Sequence, residues 1–224
     1  MLFDNGPTIT SISTPTKAEP LVTVRAGRRR WVVLPGDATA LALATGATLT
    51  SEIETGLDRA AEYCRLRAAA VQWVNKQALS RAVIEKRAAG KGFAHDAVTR
   101  LLVEFSALGL IDDAGLARQA ASAEVARKPI GPSLLLARLE RRGIESELAE
   151  TATMAELSGR DLLADAMVLV RKKLGQEGGV DDAGTRRRIA GLLARRGFDA
   201  EFAERAITAV MGEAADRGDD DRVA

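Results

Sequence analysis

The 224 residues carry 32 Lys and Arg against 31 Asp and Glu, a formal net charge of +1, so any basic surface that attracts an anionic partner must be local. Apolar residues make up 46% of the chain and aromatic residues only 4%, which with abundant alanine argues for closely packed helices and against a sandwich or barrel. A single cysteine, Cys64, excludes an internal disulfide framework and fits a reducing compartment. No run reaches the ~18 apolar residues of a membrane span, and MLFDNGPTIT lacks the basic start and apolar stretch of a secretory signal. The expectation is a helical, cytoplasmic protein of sufficient length to bury a sizeable core.

Residues 1–20 are rich in Ser, Thr and Pro and read as a disordered lead-in. Residues 21–50 hold two β-prone runs, Leu21–Arg25 and Arg30–Leu34, around a hairpin loop at Ala26-Gly27-Arg28-Arg29. A short helix capped by Asp37 follows, running to about Thr45. Ser51-Glu52-Ile53-Glu54 has the capping-box pattern and opens a helix to near Asn75. Its apolar positions are Leu57, Ala61, Cys64, Leu66, Ala68, Val71 and Trp73. Ser80 caps the next helix, which Gly92-Phe93 ends. Another runs from His95 or Asp96 to Leu108, with Val98, Leu101, Leu102, Phe105 and Leu108 on one stripe.

At Gly109-Leu110-Ile111-Asp112-Asp113 one helix stops and another starts. The glycine takes the left-handed conformation at low cost, the apolar residue packs inward, and a carboxylate meets the next helix N-terminus. Gly143-Ile144-Glu145 and Gly178-Gly179-Val180-Asp181-Asp182 repeat this device. Helices are predicted near 113–127, 132–142, 146–157, 160–174, 183–196 and 199–212, with Pro132 at a first helical position. Residues 213–224, with Asp219-Asp220-Asp221, read as an acidic disordered tail.

Aligning Gly92, Gly143 and Gly197 exposes a repeat of roughly 50 residues. Twelve residues before them stand Ser80, Gly131 and Thr185, all cap residues; eight before stand Ile84, Leu135 and Ile189; four before stand Ala88, Leu139 and Leu193. The residue after is Phe93, Ile144 or Phe198. The predicted fold is therefore mainly α: a tandem repeat of three three-helix modules, at 51–111, 112–157 and 158–212, forming an elongated curved array behind a small N-terminal β-hairpin element.

Signals for catalysis are weak. His95 is the one histidine and has no cysteine cluster with which to hold zinc. Cys64 reads as a packed helical residue, and Asp112-Asp113 as helix caps rather than a carboxylate pair. Gly90-Lys91-Gly92 closes a helix and is no phosphate loop. No catalytic, cofactor-binding or metal-binding residue is assigned, and no cofactor is expected. Basic residues cluster at Arg28-Arg29-Arg30, Arg141-Arg142, Arg171-Lys172-Lys173, Arg186-Arg187-Arg188 and Arg195-Arg196. Lys91, Arg142 and Arg196 each precede a stop glycine, where a cation suits the negative helix end. That leaves Arg28, Arg29, Arg30, Arg141, Arg187, Arg188 and Arg195 as candidate partner-binding residues.

From about Tyr63 to Met211 the chain resembles RecX, the bacterial regulatory family that acts on the recombinase RecA. The matching segments are Ser80-Arg81-Ala82 leading to Gly92-Phe93, then Leu108-Gly109-Leu110-Ile111-Asp112-Asp113 with Ala117. Gly131-Pro132 with Leu135, Leu139 and Gly143-Ile144 come next, and finally Leu193-Ala194-Arg195-Arg196-Gly197-Phe198. Their order and spacing together are specific. The hairpin resembles an extra N-terminal element of some members. Ala88 stands where the family usually has leucine, and the acidic tail is outside the pattern. The resemblance implies a monomeric, non-enzymatic modulator that binds RecA or its DNA filament, with at most weak DNA contact and none with membrane. It implies inhibition of filament extension, strand exchange, ATPase and co-protease activity. The competing reading is a direct DNA binder using helix-turn-helix-like units and arginine–phosphate contacts.

Overall fold

The computed structural model describes residues 7–177 and 182–220, with side chains described through Glu213. The chain divides into two compact units, Met1–Ile111 and Asp112–Ala224. Thus the glycine device at 109–113 marks the boundary between them.

The first unit opens with a sheet of three antiparallel strands, β1 (Ile9–Ile12), β2 (Val22–Ala26) and β3 (Arg29–Val33), in that order. The predicted hairpin is β2–β3, turning at Gly27 with φ +56°. The disordered lead-in needs correction. Ile9 pairs with Ala26 and Ile12 with Val24, across an irregularity between Ile9 and Ser11. A two-strand hairpin leaves an unpaired edge and little core, and β1 remedies both by covering one edge of β2 and burying Ile9. Residues 1–6 lie outside the described part.

Helix α1 (Pro35–Ala40) starts at Pro35 after Leu34, not at Asp37, and has turned out of helix by Leu41, short of the expected Thr45. Asp37 is a first-turn residue instead. Its Oδ1 lies 2.9 Å from the Arg100 guanidinium. Helix α2 (Ser51–Val74) is capped by Thr50, whose hydroxyl accepts from the Ile53 amide at 3.2 Å, so the capping box centred on Ser51 does not form. The N-terminal half of α2 lays Leu57, Ala60 and Ala61 against Val22, Val24, Trp31 and Val33 of the sheet. Its later residues Tyr63, Leu66 and Ala70 join α3 (Arg81–Gly90) and α4 (His95–Ala107) around Ile84, Leu101, Leu102 and Phe105. Ala68 and Leu108, both expected in the core, are exposed.

A polar network ties these elements together. Glu104 of α4 accepts hydrogen bonds from the Tyr63 hydroxyl and from Arg67 Nε at 2.7 Å, while the Arg100 guanidinium lies 3.8 Å from the Tyr63 ring centroid. Burial works to raise the Glu104 carboxyl. The hydrogen bonds from Tyr63 and Arg67, with the charges of Arg67 and Arg100, outweigh it and hold the group below its ordinary range. Burial and Glu104 together push the Tyr63 phenol up.

The second unit consists of α5 (Asp113–Arg127), α6 (Pro132–Arg141), α7 (Ser146–Leu157), α8 (Leu162–Gln176), α9 (Ala183–Arg195) and α10 (Ala200–Asp220). Buried residues of α5–α7 form one cluster around Leu135, Leu139 and Ile144, and those of α8–α10 another around Ile189, Leu193 and Phe198. Helix α10 continues through Asp220, into the stretch read as a solvated tail. Residues 178–181, with their glycine device, and 221–224 lie outside the described part.

Four helices end in the same way. After α3, α4, α6 and α9, the glycines Gly92, Gly109, Gly143 and Gly197 have φ between +68° and +87°. In each, the glycine amide and the next amide bond back to the helix's final carbonyls: Gly143 N to Glu140 O at 2.8 Å, Ile144 N to Leu139 O at 3.3 Å. This is the Schellman arrangement, and it carries Phe93, Ile144 and Phe198 to the core side; after Gly109 the expected anchor Leu110 is exposed instead, and Ile111, one residue later, is the buried one.

The starts are less uniform. Ser80 caps α3 through its hydroxyl, Asp112 caps α5 by accepting from Gly115 N at 2.8 Å, and Gly131 precedes Pro132 without a side-chain cap. Thr185 is not a cap. Asp182 performs that role, accepting from the Thr185 amide at 2.6 Å, so the cap stands three residues before Thr185 and α9 begins at Ala183, as the helix predicted near 183–196 requires. The Thr185 side chain is buried and accepts from Arg188. An aspartate one turn upstream can bond the free amides, which extends the helix.

Glu124 on α5 is buried and receives Arg138 and Arg142 of the α6 end, the latter at 3.0 Å. Burial acts to raise its carboxyl, but the Arg138 hydrogen bond and the charges of both arginines prevail and hold it low. A carboxyl depressed in the folded state contributes stability that is complete above the unfolded value, about 4.3, and disappears as pH falls through the folded value. Glu104 and Glu124 share this sign. Stability is therefore expected to fall from about pH 4.3 downward. Glu124→Gln should be less stable at neutral pH and show a shallower acid loss, as measured by urea midpoints across the acid range. A Glu124→Gln variant that kept the parent's acid slope would remove Glu124 from the account.

Candidate partner-binding surface

Cys64 is buried, and burial pushes its thiol up, away from the thiolate needed for nucleophilic chemistry. His95 is the first residue of α4. Among the described residues no group of three or more His, Cys, Asp or Glu is placed to hold a metal ion. Asp112 and Asp113 sit at the N-terminus of α5, as cap and first-turn residue. Among the described helices none is long and apolar enough to cross a membrane.

The arginines singled out in the sequence divide by what surrounds them. Arg28 is exposed at the hairpin turn. Arg29 is held by its own unit: it pairs with Glu54, approaches Asp58 at 3.6 Å, and places its guanidinium 5.1 Å from the Trp31 ring centroid. Trp31 in turn donates from Nε1 to Asp58 at 2.6 Å. Arg30 lines an open groove of about 680 Å³ between β3 and α2, opposite Arg59 and Arg65. Neither of the latter was singled out in the sequence, because they sit alone among mixed charges on α2. Only the packing of α2 against β3 brings them beside Arg30.

In the second unit Arg141 and Arg187 are exposed. Arg188 is engaged by Glu177 at 2.9 Å and by the Thr185 hydroxyl at 2.9 Å, so it ties α9 to the end of α8. Arg195, two turns further along α9, lines a hollow with Lys128, Lys172 and Arg196. Arg127 and Arg138 line the adjoining hollow. Sequence reading took Lys172 as one of a basic run and missed Arg127, Lys128 and Arg138. Arg127 and Lys128 end α5, Arg138 lies on α6 and Lys172 on α8, and no spacing along the chain links these three places.

The comparisons agree with this architecture. No family model matches the chain. It is 32% identical over 152 residues to "Regulatory protein RecX" of Mycobacterium avium, an alignment covering 67% of this chain and 87% of the relative. The protein of the same name from Mycolicibacterium vanbaalenii is 31% identical over 160 residues, with 67% and 85% covered. Among solved structures, a crystal structure of regulatory protein RecX matches with a TM-score of 0.72 at 15% identity, over 88% of this chain and 97% of that one. RecX from Lactobacillus salivarius matches with a TM-score of 0.60 at 17% identity, over 66% and 96%. The two structures share the fold, and the mycobacterial relatives share the sequence over most of their length. The chain belongs to the RecX family of regulatory proteins.

Proposed function

We propose that this protein binds RecA or the RecA–DNA filament in the cytoplasm and restrains it, lowering filament extension, strand exchange, ATPase and co-protease activity without catalysing a reaction. Its kinship with proteins named for a regulatory role, over two thirds of the chain, carries the reading. The three three-helix modules at 51–111, 112–157 and 158–212 are proposed as the binding body, which acts as a monomer. The exposed cations Arg28, Arg30, Arg141, Arg187 and Arg195 supply candidate contacts. Arg29 and Arg188 serve first in internal ion pairs.

Titrating the purified chain into strand-exchange and ATPase reactions of RecA from its own organism tests this. Both activities are expected to fall with rising protein. If neither moves, the proposal fails. Duplex binding without RecA, with affinity collapsing steeply as salt rises, would point instead to a direct DNA binder.

A further inference from the structure

Within the second unit, the start of the α5–α6 connection, α8 and α9 enclose a groove of about 430 Å³. Its apolar lining is Pro129, Val168, Leu169 and Leu192. A second hollow of about 370 Å³ shares Lys128, Arg195 and Arg196 with it and continues over Ile130 and Leu134. Val168 on this lining is 52% exposed, a large aliphatic group left to water.

The charge around this apolar strip is one-sided. Arg127, Lys128, Lys172, Arg195 and Arg196 line the two hollows and have no carboxylate partner among the described residues. Glu124, the one carboxylate lining them, is taken by Arg138 and Arg142. Lys173 is neutralised by Glu177 at 2.6 Å. Lys128 and Arg196 cap the C-termini of α5 and α9, where the helix dipole favours a cation. That explanation does not reach Lys172, which lies before the last turn of α8, or the open apolar floor.

Two kinds of anion could use such cations. Single-stranded nucleic acid is gripped by cations together with aromatic side chains on which bases stack, and neither hollow has an aromatic residue in its lining. A duplex offers phosphates but nothing that would bury Val168 or Leu192. An acidic peptide with an aliphatic side chain satisfies both parts: the side chain fills the floor, and carboxylates meet the rim.

We infer that this groove docks an acidic segment of a protein partner, carrying at least one leucine-sized aliphatic side chain. Assigning that segment to the recombinase rests on the function proposed above. The binding chemistry stands without it.

The test uses the full chain and a fluorescein-labelled peptide of aspartates and glutamates around one leucine, with binding read by anisotropy. A peptide with serine in place of the leucine, and an oligothymidylate of equal charge, serve as competitors. The leucine peptide is expected to bind at least tenfold more tightly than the serine peptide, and the oligothymidylate should displace it poorly. Lys172→Glu with Arg195→Glu should weaken the leucine peptide about tenfold or more. Val168→Ser, at an exposed position that leaves the fold intact, should erase most of the preference for leucine. Circular dichroism of each variant checks that helix content is kept. Equal binding of leucine and serine peptides, efficient displacement by oligothymidylate, or unchanged binding by both variants would each overturn the inference. If the variants lose the peptide yet inhibit RecA fully, the groove still binds acidic peptides, but the recombinase is not its source. If inhibition is absent in the parent while the peptide binds, the proposed function fails and the groove remains.

Discussion

Gly197→Ala is expected to destabilise the second unit by about 4 kcal/mol, the sum of a left-handed backbone, overpacking and disrupted hydrogen bonds. Gly197 has φ +87°, and a Cβ there would stand 2.3 Å from the Leu134 amide nitrogen. The contact is reciprocal. A Cβ on Gly131 would stand 2.2 Å from the Gly197 carbonyl oxygen, so neither backbone can yield by turning a side chain. The approach is closed by hydrogen bonds from Gly131 N to Arg196 O at 2.7 Å and from the Ser133 hydroxyl to Gly197 O at 2.9 Å. Two glycines thus seat the start of α6 against the end of α9. Gly92 is the control: it has φ +77° but open space around its missing Cβ. Gly92→Ala should cost only the backbone term, about 1 kcal/mol. Urea unfolding followed by circular dichroism compares the two. Equal losses would mean that the close approach adds nothing.

Phe105→Ala should cost a similar amount, about 4 kcal/mol, in the first unit, through lost burial and the cavity left behind. Phe105 is fully buried with Leu101, Leu102 and Ile84 around it. Its carbonyl also receives the Leu110 and Ile111 amides at the Schellman end of α4, so a repacked Phe105 disturbs the turn that leads out of this unit. The neighbouring core has little reserve, since Ala88, also fully buried, contributes only a methyl group. Val103→Ala on the same helix is the control, because Val103 is 65% exposed. It should change stability by less than about 0.5 kcal/mol. Thermal unfolding of the three proteins reads the difference. A Phe105→Ala protein that melts with the parent would place the weight of this core elsewhere.

The glycine stops were legible because their signal is local. A left-handed residue, an apolar anchor and a carboxylate lie within about five positions and act through bonds a few residues long. The same holds for the buried pairs Ile84/Ala88, Leu135/Leu139 and Ile189/Leu193, which helical spacing alone puts on one face. Caps were read less well. Ser51 and Thr185 had suitable side chains, yet Thr50 and Asp182, one and three residues upstream, take the first free amides of α2 and α9, and short polar side chains are nearly interchangeable as caps. Strand β1 was hidden because Ile-Thr-Ser-Ile is too short to signal a strand without the edge that it covers.

The candidate surface shows the same division more sharply. Chain order marked Arg28 to Arg30 and Arg186 to Arg188 as runs, but charge density along a sequence does not say which guanidinium finds a carboxylate. Packing gave Arg29 to Glu54 and Arg188 to Glu177, and left Lys172 and Arg195 facing one apolar groove. By itself, then, the sequence determined where helices stop, which faces they bury and to which family the segments belong, since these depend on neighbours along the chain. Only the tertiary structure decided which glycines touch, which cations are neutralised and where the unpaired ones converge. Those outcomes depend on contacts between residues as far apart as Gly131 and Gly197, which no periodicity encodes.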